Sequence, residues 1–406
     1  MEKIEVIVRS SRLHDKRSLT RLKKRLLSEI NAVGPVSLME VERPSGKGPA
    51  AVLVLTGGVE REVLKLLSQL PSPALLIAHS GHNSLAASLE VLARIRQDGG
   101  EGQILFGTPE EIATDLLREL RITSAWENLR FSRIGVIGEP SEWLIASDVE
   151  RAFLKGRLGI QLVEIDMDVF LQRIESASSP KREVTRLTKE ATSLNEGEVS
   201  GEELEKAVSI YAALRSLVEE YRLAACTVRC FDLVTRLQTT GCYALSRLND
   251  EEIPAGCEGD LQALFSLYIG FLVSGQAGFM GNIAWVASTE GKMILAHCTC
   301  PLSLAAGYVI RSHFESRCGV GLAATIPEGP CTIFRLGGKR LDRLFIREGR
   351  IETSSPREDL CRTQVMIAVN ESIDRLLIAP LGNHHIVLPG HHRESIERFF
   401  TRFLAA

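Results

Sequence analysis

The sequence predicts an α/β chain in which two doubly wound domains precede a β-rich, antiparallel, barrel-like one. Three observations carry this. In the first third, short β-branched runs alternate with stretches of helical period, the pattern of parallel βαβ units with helices on both sheet faces. A second alternation of the same kind opens at Arg133 to Gly138. After about residue 290 helical periodicity becomes scarce, and short apolar runs punctuated by Gly and Pro replace it. The boundaries read as 1–128, 129–289 and 290–406.

In order, Ile4–Val8 is a β-branched run and Lys16–Ile30 a Lys/Arg-rich amphipathic segment. Val36–Val41, Ala51–Leu55 and Ala74–Ala78 are buried-strand candidates, and Ser84–Arg96 repeats Leu85, Leu89 and Leu92 at helical spacing. The second domain begins with a strand from Arg133, a helix from Ser147 and a strand at Leu162–Ile165. Ser176–Gly201 is polar with mixed charges and reads as an exposed crossover. Ser200 and Glu203 form a capping box ahead of a helix carrying Leu204, Val208, Tyr211 and Leu214. Ala224–Val228 is the next strand. Leu261–Gly275 is a buried helix, shorter than the roughly 20 residues that span a bilayer. Strands at Met293–Ala296, Cys331–Leu336, Leu344–Ile346, Val365–Val369, Leu376–Ile378 and Ile386–Leu388 build the last domain, before a terminal helix Arg393–Leu404.

Composition narrows the class. At 406 residues and 45% apolar content the chain can bury several cores and is not disordered. Charges nearly balance, 48 Lys+Arg against 51 Asp+Glu, and no basic face stands out, which sets nucleic acid aside as a partner. Met1–Glu2–Lys3 leads into an apolar run of only a few residues, so neither a secretory signal nor a membrane segment is expected. Nine cysteines without a CxxC pair point to reduced thiols in a cytoplasm.

The common phosphate signatures are absent: there is no GxxxxGK[ST], and Gly135–Gly138 lacks the dinucleotide spacing. Gly57–Gly58 reads as a tight turn, or as backbone amides offered to a ligand. His82, Asn83 and Ser84 follow a buried strand and open a helix, at the sheet end where open α/β folds bind ligands. A helix cap accounts for Asn83 or Ser84 equally well. Glu258 and Asp260 stand at the mouth of the long apolar helix, where the dipole stabilises carboxylates and paired carboxylates suit a hard divalent cation; Asp is also a favoured cap. His297 ends a strand beside Cys298 and Cys300. Those thiols share one strand face while His297 takes the other, which disfavours a tetrahedral zinc site from all three. His384 and His385 are strand neighbours, so only one faces a given pocket, and the sequence leaves open which.

Taken together, Glu258, Asn282 (within Phe279–Met280–Gly281–Asn282–Ile283), His297 and His384–His385, in that order, resemble the L-fucose isomerase and L-arabinose isomerase superfamily, in particular its shorter fucose-isomerase-like members. Ala78–Glu90, Ile134–Leu144 with Pro140–Trp143, Cys230–Asp232, Thr239–Ser246, Cys257–Asp260, Phe279–Pro301 and Gly382–Gly390 carry the resemblance. It implies two Rossmann-like domains and a β-rich C-terminal domain, and aldose–ketose isomerisation through a cis-enediol with a divalent metal, usually Mn2+. It also implies a small sugar or sugar derivative as substrate and a homo-oligomer, commonly a trimer or hexamer. By position, Glu258 would be a metal ligand and acid/base group, His384 or His385 a second ligand, and His297 a further ligand or a substrate contact. Asp260 would orient the ligands, and Trp143 would join His82, Asn83 and Ser84 against the substrate. One departure matters. Fucose isomerases carry an acidic residue where this chain has Asn282, and arabinose isomerases show Phe-Met-Glu-Asp where it has Phe279–Asn282. An amide cannot accept a proton near neutral pH. The expectation is therefore an isomerase with an altered acid/base pair, with two alternatives: a different metal-assisted reaction on a sugar derivative, and a non-catalytic carbohydrate-binding regulator.

Overall fold

The structure, a computed structural model, describes residues 2–45, 49–70, 72–177, 180–194, 198–353 and 356–405. It divides into two units, Met1–Thr123 and Ser124–Ala406. The first unit runs β1 (Glu2–Arg9), α1 (Lys16–Val33), β2 (Val36–Glu40), β3 (Ala50–Val54), α2 (Glu60–Leu67), β4 (Ala74–Ile77), α3 (Ser84–Gln97), β5 (Gly102–Leu105) and α4 (Pro109–Leu129), the last helix continuing beyond Thr123. The strands pair in the order β2-β1-β3-β4-β5, all parallel. Ala50–Val54 is buried at every position, as a parallel strand covered on both faces must be. Val6, Leu53 and Ile77 meet Ile30 of α1 and Leu116 of α4 on one face; Ile7, Val52 and Leu76 meet Val63 of α2 and Val91 of α3 on the other.

The second unit opens with β6 (Arg133–Ile137), α5 (Arg151–Arg157), β7 (Gln161–Ile165), α6 (Met167–Ser176), α7 (Lys181–Leu194), α8 (Gly201–Tyr221), β8 (Ala225–Val228), α9 (Phe231–Leu237), α10 (Cys242–Asp250), β9 (Ala255–Cys257) and α11 (Leu261–Ser274). Its four strands form a parallel sheet, β7-β6-β8-β9. The capping box holds: Ser200 and Glu203 exchange side-chain bonds with each other's backbone N–H at the start of α8. One expectation is corrected. The polar crossover is not exposed throughout, because Lys181–Leu194 forms a helix that buries Leu187 against Leu204 and Val208. Residues 178–179 and 195–197 of that stretch lie outside the described residues.

The chain then folds through β10 (Phe279–Ala287), β11 (Lys292–His297), β12 (Gly307–Arg311), β13 (Gly321–Thr325), β14 (Gly329–Gly337), β15 (Arg343–Glu352), β16 (Thr363–Val369), α12 (Arg375–Ile378), β17 (His384–Pro389) and α13 (Arg393–Phe403). Six strands close an antiparallel barrel in the order β10-β11-β16-β15-β14-β17, while β12 and β13 pair alone. Phe279, Leu295, Ile333, Ile367 and Val387 belong to one buried cluster. Helix α11 is buried almost all round, and Gly270 admits the Phe334 ring, whose tip would lie 2.9 Å from a Cβ there. Leu376–Ile378, expected as a strand, is a single helical turn: the N–H groups of Leu377 and Ile378 both bond the Asp374 carbonyl, leaving Leu377 and Ile378 exposed. Among the described residues no helix is long and apolar enough to cross a membrane.

Candidate functional site

In the second unit's sheet the chain leaves β6 for β7 on one side and returns to β8 on the other. The strand order thus reverses between β6 and β8, and the carboxyl ends there flank the crevice where open α/β sheets take ligands. The loop after β6 supplies Trp143, β8 is followed by Cys230 and Phe231, and β9 by Glu258. Cys230, Phe231 and Glu258 share a cleft with Asn282, His297, His313 and Glu315, about 430 Å³ of empty space with its open mouth included.

Glu258 is aimed by an unusual turn. Its φ is +64° and that of Gly259 is +74°, two successive left-handed residues between β9 and α11. A Cβ at position 259 would sit 2.6 Å from Pro140 Cα, so only glycine fits under the β6 loop. The Glu258 carboxylate accepts from Trp143 Nε1 at 2.7 Å through Oε2, while Oε1 lies 3.5 Å from His384 Nε2 and 4.0 Å from His297 Nε2. The three donor atoms lie within 4.8 Å of one another, all on buried residues. Among the described residues no other group of His, Cys, Asp and Glu has this spacing.

The barrel fixes the two imidazoles. Asn282 of β10 pairs with His384 of β17 and with Ala296 of β11, next to His297. Strand alternation separates the late histidine pair. His385 lies 5.3 Å, ring to ring, from Phe345 of the barrel core, with Nδ1 against the Asn383 carbonyl, and it is not part of the Glu258 group. His384 faces Glu258 and places Nδ1 2.9 Å from Asp260 Oδ2. An Nδ1–H donated to that carboxylate leaves Nε2 with its lone pair outward, and this buried atom has no hydrogen-bond partner. The Glu258 oxygen left over by Trp143 and this lone pair, so arranged, fit a divalent cation. His297 differs. Its Nδ1 accepts from the Thr299 N–H at 3.2 Å, so the neutral ring carries its proton on Nε2 and must give that proton up to bind a metal.

Sequence reasoning missed Arg335. Fully buried in β14, it ion-pairs Asp260 Oδ2 at 3.2 Å and donates to Ser147 Oγ and the His384 carbonyl. Gly382 makes room for it, since a Cβ there would lie 2.5 Å from the guanidinium carbon. A lone arginine in an otherwise apolar strand was the available signal, because a buried Arg demands a partner. His313 and Glu315, from the β12–β13 loop, were also missed; nothing in sequence links that loop to the cleft.

Electrostatics follow from these contacts. Burial works to raise the Glu258 carboxyl, but His384, His297 and the Trp143 N–H hold it down at about 2. Asp260 is likewise held at about 2 against burial, by Arg335 and then His384. Burial opposes a charge on His384, yet Asp260 and Glu258 push it up to about 9. His297 falls to about 3, from burial and then the neighbouring His384. Asn282 is spoken for, its Oδ1 accepting from Asn383 Nδ2 at 2.9 Å. All nine cysteines are unpaired, and Cys230 and Cys257 approach to 2.6 Å in the cleft wall.

His82, Asn83 and Ser84 belong to the first unit. Ser84 is buried and committed, its hydroxyl donating to the Val54 carbonyl and accepting from the His79 N–H, so it ties strand ends together. His82 and Asn83 are exposed, both with positive φ.

No protein-family model matches the chain. It is similar to curated proteins named sulfoquinovose isomerase. That of Alkalicoccus urumqiensis is 24% identical over 265 residues, 63% of this chain and 59% of that protein. That of Priestia megaterium (strain ATCC 12872 / QMB1551) is 24% identical over 266 residues, 63% and 58% of the two chains. That of Clostridium sp. (strain MSTE9) is 24% identical over 296 residues, 70% and 66%. The chain therefore spans less than two thirds of the first two relatives' length. The similarity is to sugar isomerases, and none of these relatives is named for fucose or arabinose.

Proposed function

We propose that this chain is a divalent-metal-dependent aldose–ketose isomerase acting on a sugar derivative through a cis-enediol, with sulfoquinovose as the first substrate to test. The observation that carries the reading is the buried Glu258–His297–His384 triad, its carboxylate just past a parallel strand and its two imidazoles on barrel strands. Carboxylate oxygen with imidazole nitrogen suits Mn2+ better than a thiolate set would. Glu258 and His384 are the ligands, Asp260 fixes the His384 tautomer, and His297 is the third ligand or a donor to a sugar oxygen. When bound, the ion supplies positive charge beside the C1 and C2 oxygens, where enediolate charge develops. Trp143 restrains one Glu258 oxygen and stands half exposed at the cleft, an apolar face for the sugar ring. The unpaired cysteines suit a reducing compartment such as the cytoplasm. A homo-oligomer, trimer or hexamer, goes with the family resemblance.

The test is conversion of aldohexoses with plain and sulfonated C6 by the Mn2+-loaded chain. Turnover is expected in the native protein and should be lost in Glu258→Gln; unchanged turnover in that variant overturns the assignment. Asn282 favours one second reading, a different metal-assisted step on the same ligand class. Asn282→Asp discriminates: a gain of aldose–ketose exchange supports an altered isomerase. Sugars that stabilise the chain without being converted support a regulator instead.

A further inference from the structure

Aldose–ketose exchange needs a group to carry a proton between C1 and C2, and the residues already assigned leave that role open. Asn282 cannot take it, since its amide oxygen is bonded to Asn383 and does not accept a proton near neutral pH. Glu258 is engaged by Trp143 and faces both imidazoles. Asp260 is locked between Arg335, His384 and the first turn of α11.

Glu315 is the other carboxylate in the cleft wall. It lies outside the tight Glu258–His297–His384 group, yet it borders the same space, exposed on its other side. A carboxylate so placed is too far to share the ion and free to reach a substrate carbon. Its loop is held at both ends: Arg362 Nε donates to the Ser312 carbonyl at 2.8 Å, and the Thr240 hydroxyl bonds both the carbonyl and the N–H of Val320. The same loop presents His313, buried, with its ring 5.9 Å from Phe231, which in turn meets Trp143 at 5.0 Å. One continuous aromatic wall thus runs from Glu258 to the loop. The Ser316 N–H approaches His313 Nδ1 at 3.3 Å, which leaves the ring proton on Nε2 to donate to a ligand oxygen.

We infer that Glu315 is the proton-transfer residue of this site, taking the place that Asn282 cannot fill, with His313 donating to the sugar oxygen beside it. This rests on the isomerase reading. The step balances without an oxidant. Glu315 removes the proton from C2; the C2–H pair forms the C1=C2 bond while the C1=O pair moves to O1, which takes up a proton. The O2 proton then leaves, C2=O forms, and Glu315 returns its proton to C1. Burial and the charge of Glu258 both raise the Glu315 carboxyl above its ordinary value, the direction a general base working near neutral pH requires.

The experiment compares the native chain and Glu315→Gln, both loaded with Mn2+, on the same sugar panel in D2O. Expected are a kcat lower by about 10²–10⁴-fold, loss of solvent deuterium entering C1, and an unchanged Mn2+ affinity by calorimetry. Glu315→Asp should recover part of kcat, which a merely structural residue would not require. If the native chain converts a sugar and Glu315→Gln does so as fast, this assignment falls while the isomerase reading stands. If the loaded native chain converts none, both fall together.

Discussion

His384 decides what the cluster can do, because its two nitrogens are assigned by different neighbours. Asp260 accepts the hydrogen bond from Nδ1–H, which leaves the Nε2 lone pair to a bound cation. In the metal-free chain that nitrogen is protonated instead, with the ring pushed up to about 9 from its ordinary 6.5. A raised histidine contributes stability fully below pH 6.5 and loses it as pH rises through 9. Glu258 and Asp260, lowered to about 2 from 4.5 and 3.8, contribute above those ordinary values and lose it as pH falls through 2. The melting temperature of the metal-free chain should therefore decline between pH 6.5 and 9, and His384→Gln should flatten that decline; a slope unchanged in the variant contradicts the assignment. Asp260 matters for a second reason. Asp260→Asn leaves Arg335 buried without its counter-charge, a change that costs about 3–5 kcal/mol in comparable buried pairs, so denaturant unfolding should report a loss of that order.

The decisive element is the turn between β9 and α11, and it shows what was legible and what was not. The long apolar helix and the acidic pair at its mouth could be read directly, since a run such as Leu261–Ser274 has few other ways to be buried. The two left-handed residues could not, because Glu258 with positive φ goes against intrinsic preference, and the close approach of Pro140 that requires Gly259 comes from a distant loop. Gly259→Ala should leave the far-ultraviolet dichroism intact yet weaken Mn2+ binding at least tenfold, as the clash with Pro140 displaces Glu258; undiminished binding would show that the turn does not aim the carboxylate. Strand alternation in β17 predicted that only one of His384 and His385 faces the site, but choosing between them needed the register with β10. The misread strand at Leu376–Ile378 has the same origin. Three apolar residues in a row look like a strand, and only a missing partner makes them a helical turn.

Across the whole molecule, the parallel-sheet and barrel predictions came from periodicity alone, whereas the site is assembled from residues more than a hundred positions apart. Glu258 comes from the parallel sheet and both imidazoles from the barrel, so one cation would bridge two substructures of the Ser124–Ala406 unit. Ligand held only by the native state stabilises it by about 2.7 kcal/mol at a hundred times its Kd, so Mn2+ should raise the melting temperature of the native chain and not of Glu258→Gln. Buried Arg335 stitches the same two parts together without metal, through Ser147, Asp260 and the His384 carbonyl. Anomalous diffraction at the manganese edge from crystals soaked in Mn2+ puts the matter to rest most directly. A single strong peak bounded by Glu258 Oε1, His384 Nε2 and His297 Nε2 is expected; no peak there, or the dominant peak elsewhere in the chain, contradicts it.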